Sequence, residues 1–191
     1  MILAGGQSRR MGRDKLSLEV GGLPLIERVR NAVAASCEEV ILVGGDVIRL
    51  RGARHVPDVR AGGQGPLAGI EAGLAASKHD RVFVAAGDMP FLSPGLVGFL
   101  LGRLCRDGSV AVIPQHGGMS HPLCGAYARA LLPRVGAALD GGALSVGEFL
   151  DGVVGVEYVG EELRRFGAPD LLLMNVNSPR DLEEARCEAG R

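Results

Sequence analysis

Short apolar runs, several of them closed by glycine or proline, alternate along this chain with stretches whose apolar residues recur at helical spacing. The runs that read as strands are Met1–Ala4, Val40–Val43, Val82–Val84, Val110–Ile113, Val153–Val159 and Leu171–Val176. Leu16–Val20 alternates apolar and polar before Gly21-Gly22, as the first arm of a hairpin would, and His55–Asp58 reads as an edge segment because of Pro57. Helices are predicted over 24–36, from Pro66 to about Ser77, from a Ser93 cap to about Cys105, over 128–139 and 146–150, and from Ser178-Pro179 to about Cys187. Strand and helix in alternation predict an α/β fold with a mostly parallel sheet and helices on both faces. The 191 residues fit one domain spanning 1–191. Ligands of such sheets bind beyond the carboxyl ends of the strands. That rule predicts one rim shared by the Ala4–Lys15 loop, Asp88 and Asn175–Asn177.

Composition narrows the choice of partner. Formal net charge is −1, so no overall field favours nucleic acid or an anionic membrane. No apolar run reaches the length of a membrane span and there is no secretory apolar segment, which predicts a cytoplasmic protein. Aromatics are 4% and Trp is absent, so the core must come mainly from Leu, Val, Ala and Ile. The four cysteines form no C-x-x-C pair, which argues against zinc, and their apolar surroundings predict reduced, buried thiols.

The first strand runs straight into Gly5-Gly6-Gln7-Ser8-Arg9-Arg10-Met11-Gly12-Arg13-Asp14-Lys15. This is neither a Walker A loop nor G-x-G-x-x-G. Its glycines nevertheless let backbone N–H groups face an anion closely. Arg9, Arg10, Arg13 and Lys15 against Asp14 give a local charge of +3, and the chain's other lysine is Lys78 alone, beside nineteen arginines. Arg9 and Arg10 can clamp phosphate oxygens in a fork, and Lys15 can act as a compact charge on a transferring phosphoryl group. The plain alternative is a solvated basic loop.

Four further motifs carry chemistry. Asp88, in Ala86-Gly87-Asp88-Met89-Pro90, sits where a strand ends, a place for Mg²⁺ shared with phosphate oxygens; an Asx-turn is the plain alternative. Gly65-Pro66-Leu67 opens a helix whose free N–H groups suit an anion or a base edge. Asn175 and Asn177 fall on one side of a strand by alternation and can reach metal or phosphate, or merely form turns. His121, before Pro122, can bind substrate or serve structure, and His55, His79 and His116 show no partner pattern.

In this order the motifs resemble the nucleotidyltransferases that attach a nucleotide to molybdopterin. The run L-A-G-G-x-S-R-R-M-G-x-D-K carries the resemblance. Gly22-Leu23-Pro24-Leu25, Gly65-Pro66-Leu67-Ala68-Gly69, Gly87-Asp88-Met89-Pro90, His121-Pro122-Leu123 and Asn175-Val176-Asn177-Ser178-Pro179 extend it over nearly the whole chain. The resemblance implies a Rossmann-like fold, Mg²⁺, GTP and molybdopterin or molybdenum-molybdopterin as substrates, and release of pyrophosphate. It also implies molybdopterin-delivery or apo-molybdoenzyme proteins as partners. It carries nucleotide contacts onto Leu3, Ala4, Gly5, Lys15, Asp58 and Asp88, with Gly6 and the Gly65–Leu67 turn beside them, and a magnesium ligand onto Asp88. Val43 stands near a position that is Asn in some members. The Ala4-Gly5-Gly6 run favours guanine, because the related cytidylyltransferases tend to carry Ala at one of those glycines. A cytidylyltransferase, a sugar-phosphate nucleotidyltransferase and a non-catalytic GTP-sensing module stay open as alternatives.

Overall fold

The computed structural model describes residues 1–4, 15–44, 50–57, 60, 65–105, 108–143 and 145–190. The chain opens with β1 (Ile2–Leu3), a 3-10 turn at Lys15–Ser17, the hairpin β2 (Glu19–Val20) and β3 (Leu23–Pro24), then α1 (Leu25–Ala34). Next come β4 (Ile41–Val43), β5 (Arg54–Val56), α2 (Gly65–Ala76), β6 (Arg81–Ala86) and α3 (Pro94–Arg103). The second half holds β7 (Ala111–His116), β8 (Met119–Ser120), β9 (Cys124–Ala128), α4 (Leu132–Asp140), α5 (Val146–Asp151), β10 (Val156–Val159), α6 (Pro169–Leu172) and α7 (Pro179–Ala189).

Among the described residues the central sheet has the order β10-β7-β9-β6-β1-β4-β5, with β8 added to β7. Four pairings are parallel: β1 with β4 and with β6, β4 with β5, and β10 with β7. Strand β9 runs antiparallel to both β6 and β7. Two reversals restore direction, so β1, β4, β5, β6, β7 and β10 all end at one rim. The sheet is the mostly parallel, Rossmann-like one expected.

Alternate strand residues face opposite sides, and both sides are buried. Ile2, Leu42, Phe83, Ala85, Val112 and Ala126 pack against α1 and α3 through residues such as Val29, Val33, Leu96 and Leu100. Leu3, Ile41, Val43, Val82, Val84, Ile113 and Tyr127 pack against α2, α4 and α5 through residues such as Leu67, Ile70, Val135 and Phe149. Each fully buried side chain of Leu or Phe size contributes about 1.5–3 kcal/mol. A smaller cluster of Val20, Leu25, Val176, Leu182 and Ala185 joins the β2–β3 hairpin to α7.

Several sequence expectations are corrected. Leu171–Val176 is not a strand: Pro169 starts the short α6, and the chain then runs without regular structure. Its run of Leu and Met lacks the β-branched residues that would separate strand from helix. The Leu16–Val20 arm begins in the 3-10 turn Lys15–Ser17 and is strand at Glu19–Val20 alone, and Val153–Val159 is strand only from Val156. No strand is expected over Cys124–Ala128, because Cys124-Gly125-Ala126-Tyr127-Ala128 is a poor strand former on its own. Packing between two strong strands overrides that propensity, and a Cβ on Gly125 would lie 2.7 Å from Ile113 Cδ1. Ser93 stands at the N-cap of α3, but its side chain makes no capping bond. Of the cysteines, all free, only Cys124 is buried; Cys105 and Cys187 are exposed. On α7 the buried face belongs to Leu182 and Ala185, which leaves Cys187 toward water.

Tyr127 is fully buried, and its hydroxyl donates to the Pro122 carbonyl at 2.7 Å. Replacing it by Phe removes that bond and little packing. Tyr127→Phe is therefore expected to lose about 1 kcal/mol, seen as a lower urea midpoint at unchanged slope.

Candidate active site

The site grows from the turn after β6. Gly87 N–H donates to the Leu3 carbonyl at 3.0 Å, which docks this turn on the end of β1. A Cβ on Gly87 would lie 2.9 Å from Ile26 Cδ1 and 3.2 Å from both Leu16 Cδ atoms. Glycine thus lets the turn settle onto α1 and the Lys15–Ser17 turn. The next residue, Asp88, meets Lys15: Nζ lies 2.5 Å from Oδ2, with side-chain exposures of 18% and 13%. Lys15 Nζ also donates to Asn177 Oδ1 at 3.0 Å. The Asp88 carbonyl accepts from Val176 N–H at 3.0 Å. One rim position therefore joins the start, the middle and the end of the chain.

Asp88 Oδ1 is buried and has no hydrogen-bond partner among the described residues. A buried carboxylate oxygen left unpaired is costly, and a hard cation satisfies it. Among the described residues no group of three or more His, Cys, Asp or Glu could cage a metal. Mg²⁺ suits such a place, because it commonly takes one or two carboxylates and completes its shell with phosphate oxygens and water. Asp88 thus fits the metal role expected of it.

Asn177 is held from its backbone. Asp181 Oδ2 accepts from the Asn177 and Ser178 N–H groups, each at 2.8 Å, and Ser178 Oγ accepts from Asp181 N–H at 3.2 Å, a capping box that starts α7. The sequence carries the signal for this in Ser178-x-x-Asp181, which was read only as a cap at Ser178. Asn175 and Asn177 do not share a strand face. Asn175 Nδ2 donates to the Leu173 carbonyl at 3.2 Å, while Asn177 alone reaches Lys15.

The remaining expected residues divide by position. Leu3 and Ala4 end β1, and Ala4 N–H donates to the Val43 carbonyl at 2.9 Å. The side chains of Leu3, Val43 and Leu67 are buried in the core, so any ligand contact from them must use main chain. Gly65 has φ +72° and with Pro66 opens α2 at an exposed end. Gly5, Gly6, Arg9, Arg10 and Asp58 lie outside the described residues.

His121 stands on the other side of Asp88. Its N–H donates to the Pro114 carbonyl at 2.8 Å, and Leu123, two residues on, accepts from Ala86 N–H at 2.8 Å. Its imidazole pKa is lowered from the ordinary value of 6.5, first by desolvation and then by nearby His116. His121 is therefore neutral at neutral pH and can accept or donate a single proton. His116 has a partner that local spacing could not reveal: Nε2 lies 3.1 Å from Oδ1 of Asp170, fifty-four positions along the chain.

A parallel-sheet rim that pairs a lysine with a carboxylate carrying an unpaired oxygen suits phosphate chemistry with a divalent ion. Residues 1–154 match the family described as the MobA-like NTP transferase domain. The chain belongs to that family, and it is an enzyme of the nucleotidyltransferase class. It is 39% identical to a probable molybdenum cofactor guanylyltransferase of Pelotomaculum thermopropionicum, covering 99% of this chain and 92% of the relative. It is 36% identical to the molybdenum cofactor guanylyltransferase of Cereibacter sphaeroides, covering 97% and 93%. Its structure is similar to the molybdopterin-guanine dinucleotide biosynthesis protein A of Archaeoglobus fulgidus, with a TM-score of 0.84 at 28% identity, covering 99% and 97% of the two chains. A 2-C-methyl-D-erythritol 4-phosphate cytidylyltransferase of Thermus thermophilus shares the fold at 21% identity and a TM-score of 0.74, over 100% and 98% of the two chains.

The Asp181 carboxyl is held below its ordinary value of 3.8, chiefly by the Asn177 N–H and then by Ser178. A depressed carboxylate stabilises the fold fully above its unfolded value and loses that contribution as pH falls through the folded one. Wild type should therefore lose stability below about pH 4 that Asp181→Asn never had, so that the gap between their urea midpoints closes in acid.

Proposed function

We propose that this protein transfers GMP from GTP to the terminal phosphate of molybdopterin, free or molybdenum-bound, yielding the guanine dinucleotide form of the cofactor and pyrophosphate. The observation that carries the reading is the meeting of Lys15, Asp88 and Asn177 at the rim. Both relatives quoted above carry the name molybdenum cofactor guanylyltransferase, which supports the acceptor and the base together. The Ala4-Gly5-Gly6 run points to guanine as well. The cytidylyltransferase neighbour supports the fold alone.

The acceptor phosphate is already an anion at pH 7, since its second pKa is about 6. It needs no base to attack. Its oxygen forms a bond to the α-phosphorus in line with the bond that breaks to pyrophosphate. What the protein supplies is position and charge. Main chain at Leu3, Ala4, Gly5 and Gly6 would cradle the phosphates. Arg9, Arg10 and Lys15 would neutralise charge moving onto pyrophosphate. Asp58 and the Gly65–Leu67 turn would face the nucleoside. Asn177, whose Oδ1 orients Lys15, keeps its Nδ2 donors for the acceptor, beside His121 and Asn175. Asp88 would hold Mg²⁺ through Oδ1, and the ion supplies further neutralisation of phosphate oxygens when bound.

The whole of 1–191 is read as one domain, because β10 pairs with β7 and α7 packs on the β2–β3 hairpin beyond the matched 1–154. No helix among the described residues is long and apolar enough to cross a membrane, which suits a cytoplasmic site of action. Proteins that deliver molybdopterin or receive the finished cofactor are the partners this role requires.

Incubation with molybdopterin and mixed nucleoside triphosphates, followed by mass spectrometry of the pterin, is expected to give the guanine dinucleotide and pyrophosphate. A cytosine product would reverse the base, and binding of GTP without pyrophosphate release would favour a sensing module. Lys15→Ala and Asp88→Ala are each expected to stay folded and to lose about 10²–10³ in rate, measured as pyrophosphate release.

A further inference from the structure

The strand order divides the rim into two halves about Asp88. Strands β1, β4 and β5 end on one side, and β9 and β7 meet the rim on the other. Leu3 and Ala4, read as nucleotide contacts, stand on the first half at the end of β1. On the second half stand His121, His116 and, from α6, Asp170.

These residues lie on a closed circuit of hydrogen bonds. From Asp88 the carbonyl accepts Val176 N–H at 3.0 Å, and the chain leads back to Asp170. Asp170 meets His116 at 3.1 Å. From His116 the hairpin turns and returns to His121, whose N–H donates to Pro114 at 2.8 Å, and Leu123 accepts from Ala86 N–H at 2.8 Å, two residues before Asp88. The other three closures are main chain to main chain. The His116–Asp170 link alone depends on two side chains.

The hairpin itself is built to stand out from the sheet. Gly117 and Gly118 take φ of +58° and +78°, and a Cβ on either would meet nothing within 4 Å. Left-handed backbone at both central positions is what a two-residue hairpin turn needs, so the glycines serve the turn and not a close contact. Met119, in register with His116, is 65% exposed. The hairpin thus offers an apolar thioether beside two imidazoles, a surface that suits a flat heterocycle.

We propose that His116 and Asp170 form a latch that holds the β7–β8 hairpin against the α6 segment and so shapes the acceptor half of the site. Both are positioning residues, acting on the fit of a phosphorylated heterocyclic acceptor and on neither the nucleotide nor the chemical step. The inference rests on the functional reading above, which stands the acceptor over this half.

Asp170→Asn, His116→Gln and the double variant test it, with KM for molybdopterin and for GTP measured separately beside kcat. The Asp170 side chain is 89% exposed, so its substitution leaves the core intact. Each single variant is expected to raise the molybdopterin KM about two- to fivefold, the scale an exposed ion pair can carry, with kcat and the GTP KM unchanged. The double variant should be no worse than the worse single one, because the two residues act as one contact. Unchanged molybdopterin KM in both single variants, additive effects in the double, or an equal rise in the GTP KM would overturn the latch while leaving the functional reading in place. Wild-type protein that fails to turn over molybdopterin with GTP would overturn both.

Discussion

Asp88 is bonded on two sides and open on a third. Its Oδ2 meets Lys15, its carbonyl meets Val176, and its Oδ1 is buried without a partner among the described residues. The Lys15–Asp88 pair is mostly withdrawn from water, so each charge needs the other: removing one leaves an uncompensated charge in a poorly solvated place. That mutual need fixes the Lys15 turn against the end of β6. Gly87 makes the approach geometrically open, and Asn177 completes it from the far end of the chain.

Strand β9 has an equally wide influence. The α3 crossover already makes β7 run parallel to β6. Strand β9 then returns between them, antiparallel to both, so the turn from β7 into β9 lies on the rim that carries Asp88 and sets His116 and His121 there. Buried Tyr127 secures that arrangement by fixing the Pro122 carbonyl beside His121. Packing on one face of the sheet thereby controls a polar group at its edge.

Much of this was legible in the sequence. The first strand, α1, α2, β6 and the start of α7 announce themselves through periodicity, glycine and proline. Lys15, Asp88 and Asn177 were singled out from where they follow apolar runs, and the structure brings those three together. Three features were hidden for physical reasons. Strand β9 carries small residues whose strand conformation is imposed by its neighbours, so local propensity is silent. The Leu171–Val176 run is apolar because Leu172, Leu173 and Val176 enter two cores, not because it joins a ladder. The His116–Asp170 contact joins residues with no sequence relation, and only the shared rim brings them within reach. Asp181 is the opposite case, a three-residue spacing that was present and went unused.

The contact between Lys15 and Asn177 spans 162 positions. Synthesis on the ribosome proceeds from the first residue onward, and domains gather structure as their segments emerge. Lys15 is made first and its amide partner 162 positions later. A nascent chain therefore carries the charge without the group that orients it until Asn177 emerges, and the finished constellation arises only as α7 docks.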